Sequence, residues 1–371
     1  MESPGSLDIL LVAPPGLEPV LAEEARSRGF APAEPGPGGV RITGGWPEVW
    51  RANLELRGAT RVLARIGAFR AMHLAQLDKR ARRFPWGETL RPDVPVRVEA
   101  SSTRSRIYHA GAAAERVSRA IAETLGAPVS DDAMVVVKVR LDDDLCTISV
   151  DTSGESLHKR GHKVAVGKAP MRETLAALFL RQCGYAGTEP VVDPMCGSGT
   201  FLIEAAEIGL GLLPGRTRSF AFESLATFDA AVWERMRTQA APPAPPLRFL
   251  GADRDAGAIR MAEANAGRAG VEGVIDFRRQ AISDLVAPEG PKGLVMVNPP
   301  YGGRIGEREL LRGLYGTLGK VLRAGFSGWR VGIVTSEPAL ARATGLPFLP
   351  PLPSVPHGGL KIGLHRTGPL P

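Results

Sequence analysis

Apolar positions change their spacing near the middle of the chain. Up to about Val150, strand-like and helix-like runs mix irregularly. Asp8–Val12 (DILLV) predicts a strand, and Leu17–Gly29 a helix with Leu17, Val20, Leu21 and Ala25 on one face before a glycine stop. Gly39–Thr43 predicts a second strand after a Pro/Gly turn. Pro47–Ala68 predicts one long helix in which Arg57, Arg61 and Arg65 recur at i, i+4 and form a basic edge. Pro95–Ala100, Met134–Val139 and Thr147–Val150 predict strands. Glu115–Gly126 predicts an amphipathic helix with Val117, Ala120, Ile121 and Leu125 inward. Irregular mixing of this kind suits an α+β arrangement.

After about Lys168 the pattern becomes regular strand–helix alternation. Strands are predicted at Pro190–Asp193, Leu247–Asp253, Val274–Phe277, Leu294–Asn298 and Trp329–Ser336. Helices are predicted at Thr200–Ile208, at Ala256–Ala269 with Gly270 as stop, and at Glu309–Ala324. Leu346–Arg366 adds two strands around Gly358–Gly359, and the Pro-rich Ala241–Pro246 reads as a surface loop. The fold class expected is α/β: a mostly parallel sheet with helices on both faces, preceded by the α+β part.

Composition changes this picture little. With 371 residues, 44% hydrophobic and 23% charged, the chain has room for two or three ordinary globular domains. No apolar run approaches the roughly 20 residues of a membrane span. The first eight residues lack the basic start of a secretory leader. Cys146, Cys183 and Cys196 are too few and too scattered for a zinc site or a disulfide framework. The expectation is a reduced, cytoplasmic protein without a metal. Charge is more informative because it is uneven. Arg51–Arg119 holds fifteen Lys and Arg against six Asp and Glu, a local net of +9 in a chain of net +7. A basic segment beside a near-neutral remainder is the electrostatic footprint of a nucleic-acid-binding module.

Two segments carry chemistry. DPMCGSGT runs from Asp193 through Pro194, Met195, Cys196, Gly197, Ser198 and Gly199 to Thr200, between a predicted strand and a predicted helix. Ligands of α/β folds bind at that end of a strand. Gly197 and Gly199 permit a tight turn and close approach of backbone to ligand. The dinucleotide fingerprint is absent, since its third glycine position is Leu202, and no Gly-Lys-Ser makes a phosphate loop. An acidic strand end suits the cationic methionine head of S-adenosylmethionine better than a pyrophosphate. Asp253, beside Arg254 at the end of the next strand, is placed to accept ribose hydroxyls, with Asp255 as the cap of the following helix. The second segment is Asn298-Pro299-Pro300-Tyr301. The amine of a nucleobase is a poor nucleophile because its lone pair is delocalised into the ring. An Asn carbonyl and the Pro299 carbonyl can accept its hydrogens, rigid prolines hold both acceptors, and Tyr301 offers a stacking face. Ala169–Thr174, with Pro170, Glu173 and Thr174, enters the first helix of this half and could cover the methionine end, Glu173 alternatively capping that helix. Asp284 and Gln280 lie where adenine contacts would be sought. The six histidines show no triad-like context.

These motifs resemble those of the bacterial THUMP-domain RNA methyltransferases, in particular the large-subunit rRNA guanine-N2 methyltransferase group. The resemblance extends to Gly16–Phe30, Arg51–Phe69, Asp151–Lys163, Ala169–Ala177, Leu314–Trp329 and His357–Leu364, nearly the full length. It implies a ferredoxin-like domain (residues 1–62), a THUMP RNA-binding domain (63–155) and a Rossmann-like methyltransferase domain (156–371, with 156–168 as linker). By the same resemblance Asp193, Gly197, Gly199 and Asp253 are cofactor ligands, and Asn298, Pro299 and Tyr301 the clamp on the base. Two positions depart from the group: His357 stands before Gly358 where Asn is usual, and Gln280-Ala281 replaces the usual Gly-Asp.

The expected activity is S-adenosylmethionine-dependent methylation of guanine N2, in 23S rRNA first and in tRNA as the alternative, by a monomer. Arg57, Arg61, Arg65, Lys79, Arg80, Arg82 and Arg83 are the candidate RNA contacts. DNA adenine methylation shares the Asn-Pro-Pro-Tyr clamp, but the N-terminal resemblance disfavours it. A non-catalytic RNA-binding or assembly factor is the reading from another class.

Overall fold

The computed structural model describes residues 6–163, 171–238, 247–302 and 308–371. The first half runs β1 (Leu7–Val12), α1 (Glu18–Ser27), β2 (Glu34–Gly36), β3 (Gly39–Gly44), α2 (Trp46–Glu55), β4 (Arg61–Arg70), α3 (Leu74–Ala81), β5 (Val96–Thr103), α4 (Ala110–Leu125), β6 (Val135–Asp142) and β7 (Leu145–Asp151). The second runs α5 (Glu173–Gln182), β8 (Val191–Asp193), α6 (Thr200–Gly209), α7 (Ala230–Arg237), β9 (Phe249–Asp253), α8 (Ala256–Ala269), β10 (Ile275–Arg279), β11 (Leu294–Val297), α9 (Arg308–Gly325), β12 (Arg330–Thr335), α10 (Pro338–Ala343), β13 (Val355–His357) and β14 (Leu360–Arg366). These elements form two compact units, one of Met1–Ala13, Leu21–Leu157 and Arg218–Gln239, the other of Pro14–Val20, His158–Thr217 and Ala240–Pro371.

The first unit is built on one seven-stranded sheet of order β2-β3-β1-β4-β7-β6-β5. Only β5 and β6 run parallel; the other pairs are antiparallel. Strand β4 joins its halves, pairing through Arg61–Arg65 with β1 and through Leu63–Arg70 with β7. The boundary expected at residues 62/63 therefore falls inside a strand.

The long helix expected over Pro47–Ala68 is overturned. Helix α2 stops at Glu55, a turn through Gly58 follows, and Arg61 starts β4. Its inward residues are Val62 and Ala64, and Arg61, Leu63 and Arg65 alternate with them on the opposite face. A spacing of four is even, so it also fits the two-residue period of a strand. The basic edge disappears with the helix. Arg57 is only 3% exposed, and Arg61 and Arg65 bind Asp151 and Asp8, both at 2.5 Å.

Residues 218–239 follow α6 in sequence but belong to the first unit. Phe220, Phe222 and Trp233 are almost fully buried there, and Phe222 stacks on Trp50 of α2 at 6.0 Å between ring centroids. Aromatic burial of this kind contributes about 1.5–3 kcal/mol per side chain.

In the second unit the sheet order is β10-β9-β8-β11-β12-β14-β13, parallel through β12, with β14 and then β13 antiparallel at the edge. Chain order reverses between β8 and β11, so their carboxyl ends flank a topological switch point, where open α/β sheets bind ligands. Below it, Val192, Val295, Val297, Val331 and Ile333 meet Tyr315, Leu318 and Leu322 of α9, with Phe326 and Trp329 closing the core. The 3–4-residue spacing on α9 buries one stripe of that helix. Among the described residues, no helix is long and apolar enough to cross a membrane.

Candidate active site

The loop Asp193–Gly199 leaves β8 at the switch point and turns into α6. Its shape is fixed by backbone bonds from Cys196 to the Ala252 carbonyl (2.9 Å) and from Gly199 to the Cys196 carbonyl (2.8 Å). Gly197 and Gly199 have φ of +53° and +83°, a left-handed conformation that other residues adopt at a cost. They face different surroundings. A Cβ on Gly199 would come 3.2 Å from that of Ala262, so this glycine lets α8 close on the loop. A Cβ on Gly197 would meet nothing within 4 Å, so open space lies over the loop there. Asn265 of α8 is fully buried and donates to the Ser198 carbonyl at 3.0 Å, a clamp the sequence did not announce.

Two carboxylates converge on this loop. Asp193 is 2% exposed and accepts a hydrogen bond from the Met195 amide at 3.1 Å. Burial pushes its carboxyl well above the ordinary range, and the neighbouring Asp253 adds to the shift. Asp253 accepts from the Gly197 amide at 3.1 Å through one oxygen and from the Asp255 amide at 2.9 Å through the other. Each oxygen keeps a lone pair for a further donor. Asp255 caps α8, accepting from the Gly257 amide at 2.7 Å, as its position suggests. Cys196 is buried in the loop and its thiol is pushed up by that burial, then by both aspartates. Pro194, Ser198 and Thr200 are likewise buried, Met195 is half-buried on the core, and Arg254 is exposed.

The entry to α5 joins this loop through Lys163, which the sequence reading missed. Its ammonium donates to Thr200 Oγ1 at 2.9 Å and to the Met171 carbonyl at 2.7 Å, and lies 3.3 Å from Glu173. Glu173 is 4% exposed; burial raises its carboxyl and Lys163 opposes that. Glu173 thus pairs with Lys163 and does not cap α5, whose cap position is Arg172. Thr174 is fully buried, and its hydroxyl has no hydrogen-bond partner among the described residues. Pro170 lies outside the described residues.

Asn298-Pro299-Pro300-Tyr301 leaves β11, the strand paired with β8. Asn298 Oδ1 is buried with no hydrogen-bond partner among the described residues. An unmade bond of this kind costs about 1–3 kcal/mol, so an acceptor left open at a ligand site points to a donor that arrives from outside. Pro299 is buried, Pro300 exposed, and Tyr301 packs its half-buried ring on the same core as Met195. The next residue, Gly302, donates its amide to Glu337 at 3.0 Å, tying the segment to the end of β12. On the other side, Gln280 donates its side-chain amide to the Asp284 carbonyl at 2.5 Å and closes a short turn. The Asp284 side chain is exposed and accepts from Ser283.

The structure reduces the basic segment. At least nine of its fifteen cations are ion-paired, several with carboxylates from elsewhere, such as Arg104 with Asp142 and Arg106 with Asp144. Net charge counted along the chain misses partners brought up in space. Arg82 is committed to Asp78 and Glu123, whereas Lys79, Arg80 and Arg83 are exposed at the end of α3. No cluster of three metal-binding side chains occurs among the described residues.

Comparison with known proteins finds two families along the chain. Residues 160–347 match the RMKL-like methyltransferase domain family, and residues 8–63 match the RlmL ferredoxin-like domain. The ribosomal RNA large subunit methyltransferase K/L of Syntrophotalea carbinolica is 36% identical over 367 residues, covering 93% of this chain and 51% of its own length. The protein of that name from Methylococcus capsulatus is 36% identical over 362 residues, with 92% and 49% covered. The chain spans about half the length of these curated relatives. A Listeria monocytogenes protein, described as a predicted N6-adenine-specific DNA methylase, superposes with a TM-score of 0.87 at 32% identity, covering 98% of this chain and 97% of its own. SMU.472, a candidate methyltransferase complexed with SAH, gives 0.88 at 27% identity over the full length of both. With its parallel sheet, its glycine loop and its open Asn298 acceptor in place, the chain belongs to the RMKL-like methyltransferase domain family.

Proposed function

We propose that the chain transfers the methyl group of S-adenosylmethionine to the exocyclic N2 of a guanosine in 23S rRNA, in the cytoplasm. The observation that carries this reading is Asn298 Oδ1, a buried acceptor with no partner among the described residues, beside the switch point. When bound, S-adenosylmethionine supplies an electrophilic methyl on a sulfonium sulfur. The residues present fit such a group: open space over Gly197, the Asp193 and Asp253 carboxylates, and the unpartnered Thr174 hydroxyl. Asp193 would give up its proton and balance the cationic head, and Asp253 would accept from the ribose hydroxyls with its remaining lone pairs.

Asn298 and the Pro299 carbonyl would accept the two hydrogens of the guanine amine. Both bonds favour the pyramidal nitrogen and strengthen as it gains positive charge during attack, which is where a bond lowers the barrier. Tyr301 would stack the base, which must be unpaired or flipped to reach the site. Residues 63–155 would form a THUMP RNA-binding domain, with Lys79, Arg80 and Arg83 as its phosphate contacts. The names of the K/L relatives support ribosomal RNA as the substrate.

The test is methyl transfer from labelled S-adenosylmethionine to 23S rRNA, tRNA and DNA, with nucleosides identified by mass spectrometry. N2-methylguanosine in 23S rRNA is the expected product. N2-methylguanosine confined to tRNA, or N6-methyladenine in DNA, overturns the substrate. Cofactor binding without transfer to any of the three favours the assembly-factor reading.

A further inference from the structure

Several arginines of the second unit serve the fold. Arg160 pairs with Glu204, Arg216 with Glu207, and Arg330 with Glu189, while Arg268, Arg323 and Arg366 donate to backbone carbonyls. Arg308 and Arg312 of α9 and Arg342 of α10 differ. All three are exposed, and among the described residues none is ion-paired with a carboxylate. They line one cleft of about 570 Å³, with Leu340 and Ala343 among its apolar lining. Room of that size takes a nucleotide-sized group rather than a lone ion.

Close packing fixes α9 against the end of α10, two residues beyond Arg342. A Cβ on Gly319 would lie 1.9 Å from the Thr344 carbonyl oxygen, so α9 and the end of α10 touch backbone to backbone. Arg323 of α9 donates to that same carbonyl. Arg308 and Arg312 lie one helical turn apart on one face of α9, a like-charge pair that opposes helix formation unless an anion joins it. Among the described residues, Glu337 is the one carboxylate lining the cleft, and it accepts from the Gly302 amide at 3.0 Å. The cleft is therefore bonded directly to the residue that follows Tyr301.

We propose that this cleft binds the sugar–phosphate backbone of the RNA strand flanking the target nucleotide, with Arg312 and Arg342 on phosphates. The proposal rests on RNA methylation as read above. Arginine suits the role because its planar fork matches two phosphate oxygens and its charge does not titrate. A phosphate held there would fix the strand against α10, whose cap residue Glu337 bonds the residue after Tyr301, and so help bring the target base to Asn298 in register. The arginines act before chemistry: they set RNA affinity and position, and they leave the cofactor and the methyl transfer itself alone.

The test uses the full chain, a fluorescein-labelled RNA hairpin with guanosines in its loop, and the variants R312Q, R342Q and R312Q/R342Q. In the double variant, RNA affinity at moderate salt is expected to fall about 10-fold, and the slope of log affinity against log salt to flatten by about 1.4, at roughly 0.7 per single-strand phosphate contact. KM for RNA is expected to rise while kcat at saturating RNA and cofactor affinity by calorimetry stay within about twofold, which also shows that the variant is folded. RNA affinity and salt slope equal to wild type overturn the cleft alone. A wild-type chain that binds no RNA overturns the RNA reading and the cleft with it. Equal competition by a polyglutamate peptide makes the cleft a general anion surface and also overturns the proposal.

Discussion

Truncating Asn298 separates a functional acceptor from a structural one. Asn298→Ala removes an oxygen that is buried and makes no hydrogen bond among the described residues. The protein without ligands already bears the cost of that open acceptor, about 1–3 kcal/mol, so its removal breaks no native bond. Lost packing of a half-buried side chain acts the other way, and the net change in stability is expected within about 1 kcal/mol of zero. Methyl transfer has no such compensation. A preorganised group facing developing charge is worth about 2.7–4 kcal/mol, which converts to roughly 10²–10³-fold in kcat. The assay is single-turnover transfer to 23S rRNA transcript, with thermal melting and cofactor calorimetry on the same preparation. Asn298→Asp keeps an acceptor oxygen and is expected to recover part of the rate. A variant that melts several degrees lower and loses cofactor binding together with activity would show a structural asparagine. One that transfers methyl groups at the wild-type rate would refute the clamp.

Three further outcomes are expected. Asp253→Ala is expected to weaken cofactor binding about 10–100-fold, the value of one or two charge-assisted hydrogen bonds, and unchanged affinity by calorimetry would remove the ribose assignment. Burial holds the Asp193 carboxyl far above its ordinary 3.8, so the folded state keeps that proton longer than the unfolded chain does. Its contribution to stability is full below pH 3.8 and is lost as pH rises through the raised value. Asp193→Asn, which cannot ionise, is therefore expected to melt above wild type by a margin that grows with pH across that window while binding cofactor more weakly; a margin independent of pH contradicts this. Deleting residues 1–157 alone strips Phe220, Phe222 and Trp233 of their cover within the first unit. The remainder is expected to aggregate, and removing residues 218–239 as well is expected to give a soluble, cofactor-binding piece; equal solubility of the two by size-exclusion chromatography would argue against the burial.

Much of the second unit was legible because its signals are local. A buried strand followed by a loop and a helix, three times over, places Asp193, Asp253 and Asn298 at strand ends whatever else the chain does. The cap at Asp255 and the stop at Gly270 were readable for the same reason. The first unit was harder. Arg57, Arg61 and Arg65 satisfied a helical spacing and a strand spacing equally, and the pairing of β4 with β1 and β7 decided between them. Helices α3, α7 and α10 are six to eight residues long and escaped notice. Residues 218–239 carried no predicted element, although the density of Phe220, Phe222, Phe228 and Trp233 was the available sign of a buried segment.

By itself, then, the sequence determined where the glycine loop and the Asn298–Tyr301 segment fall, because both are short contiguous motifs whose geometry follows from glycines, prolines and strand ends. Tertiary structure decided which charges are spent and which remain. Asp8, Asp142, Asp144 and Asp151 neutralise arginines distant in sequence, whereas Arg308, Arg312 and Arg342 share one cleft and pair with no carboxylate among the described residues. Ion pairing depends on distances of a few ångströms between residues far apart along the chain, and only the folded backbone sets those distances.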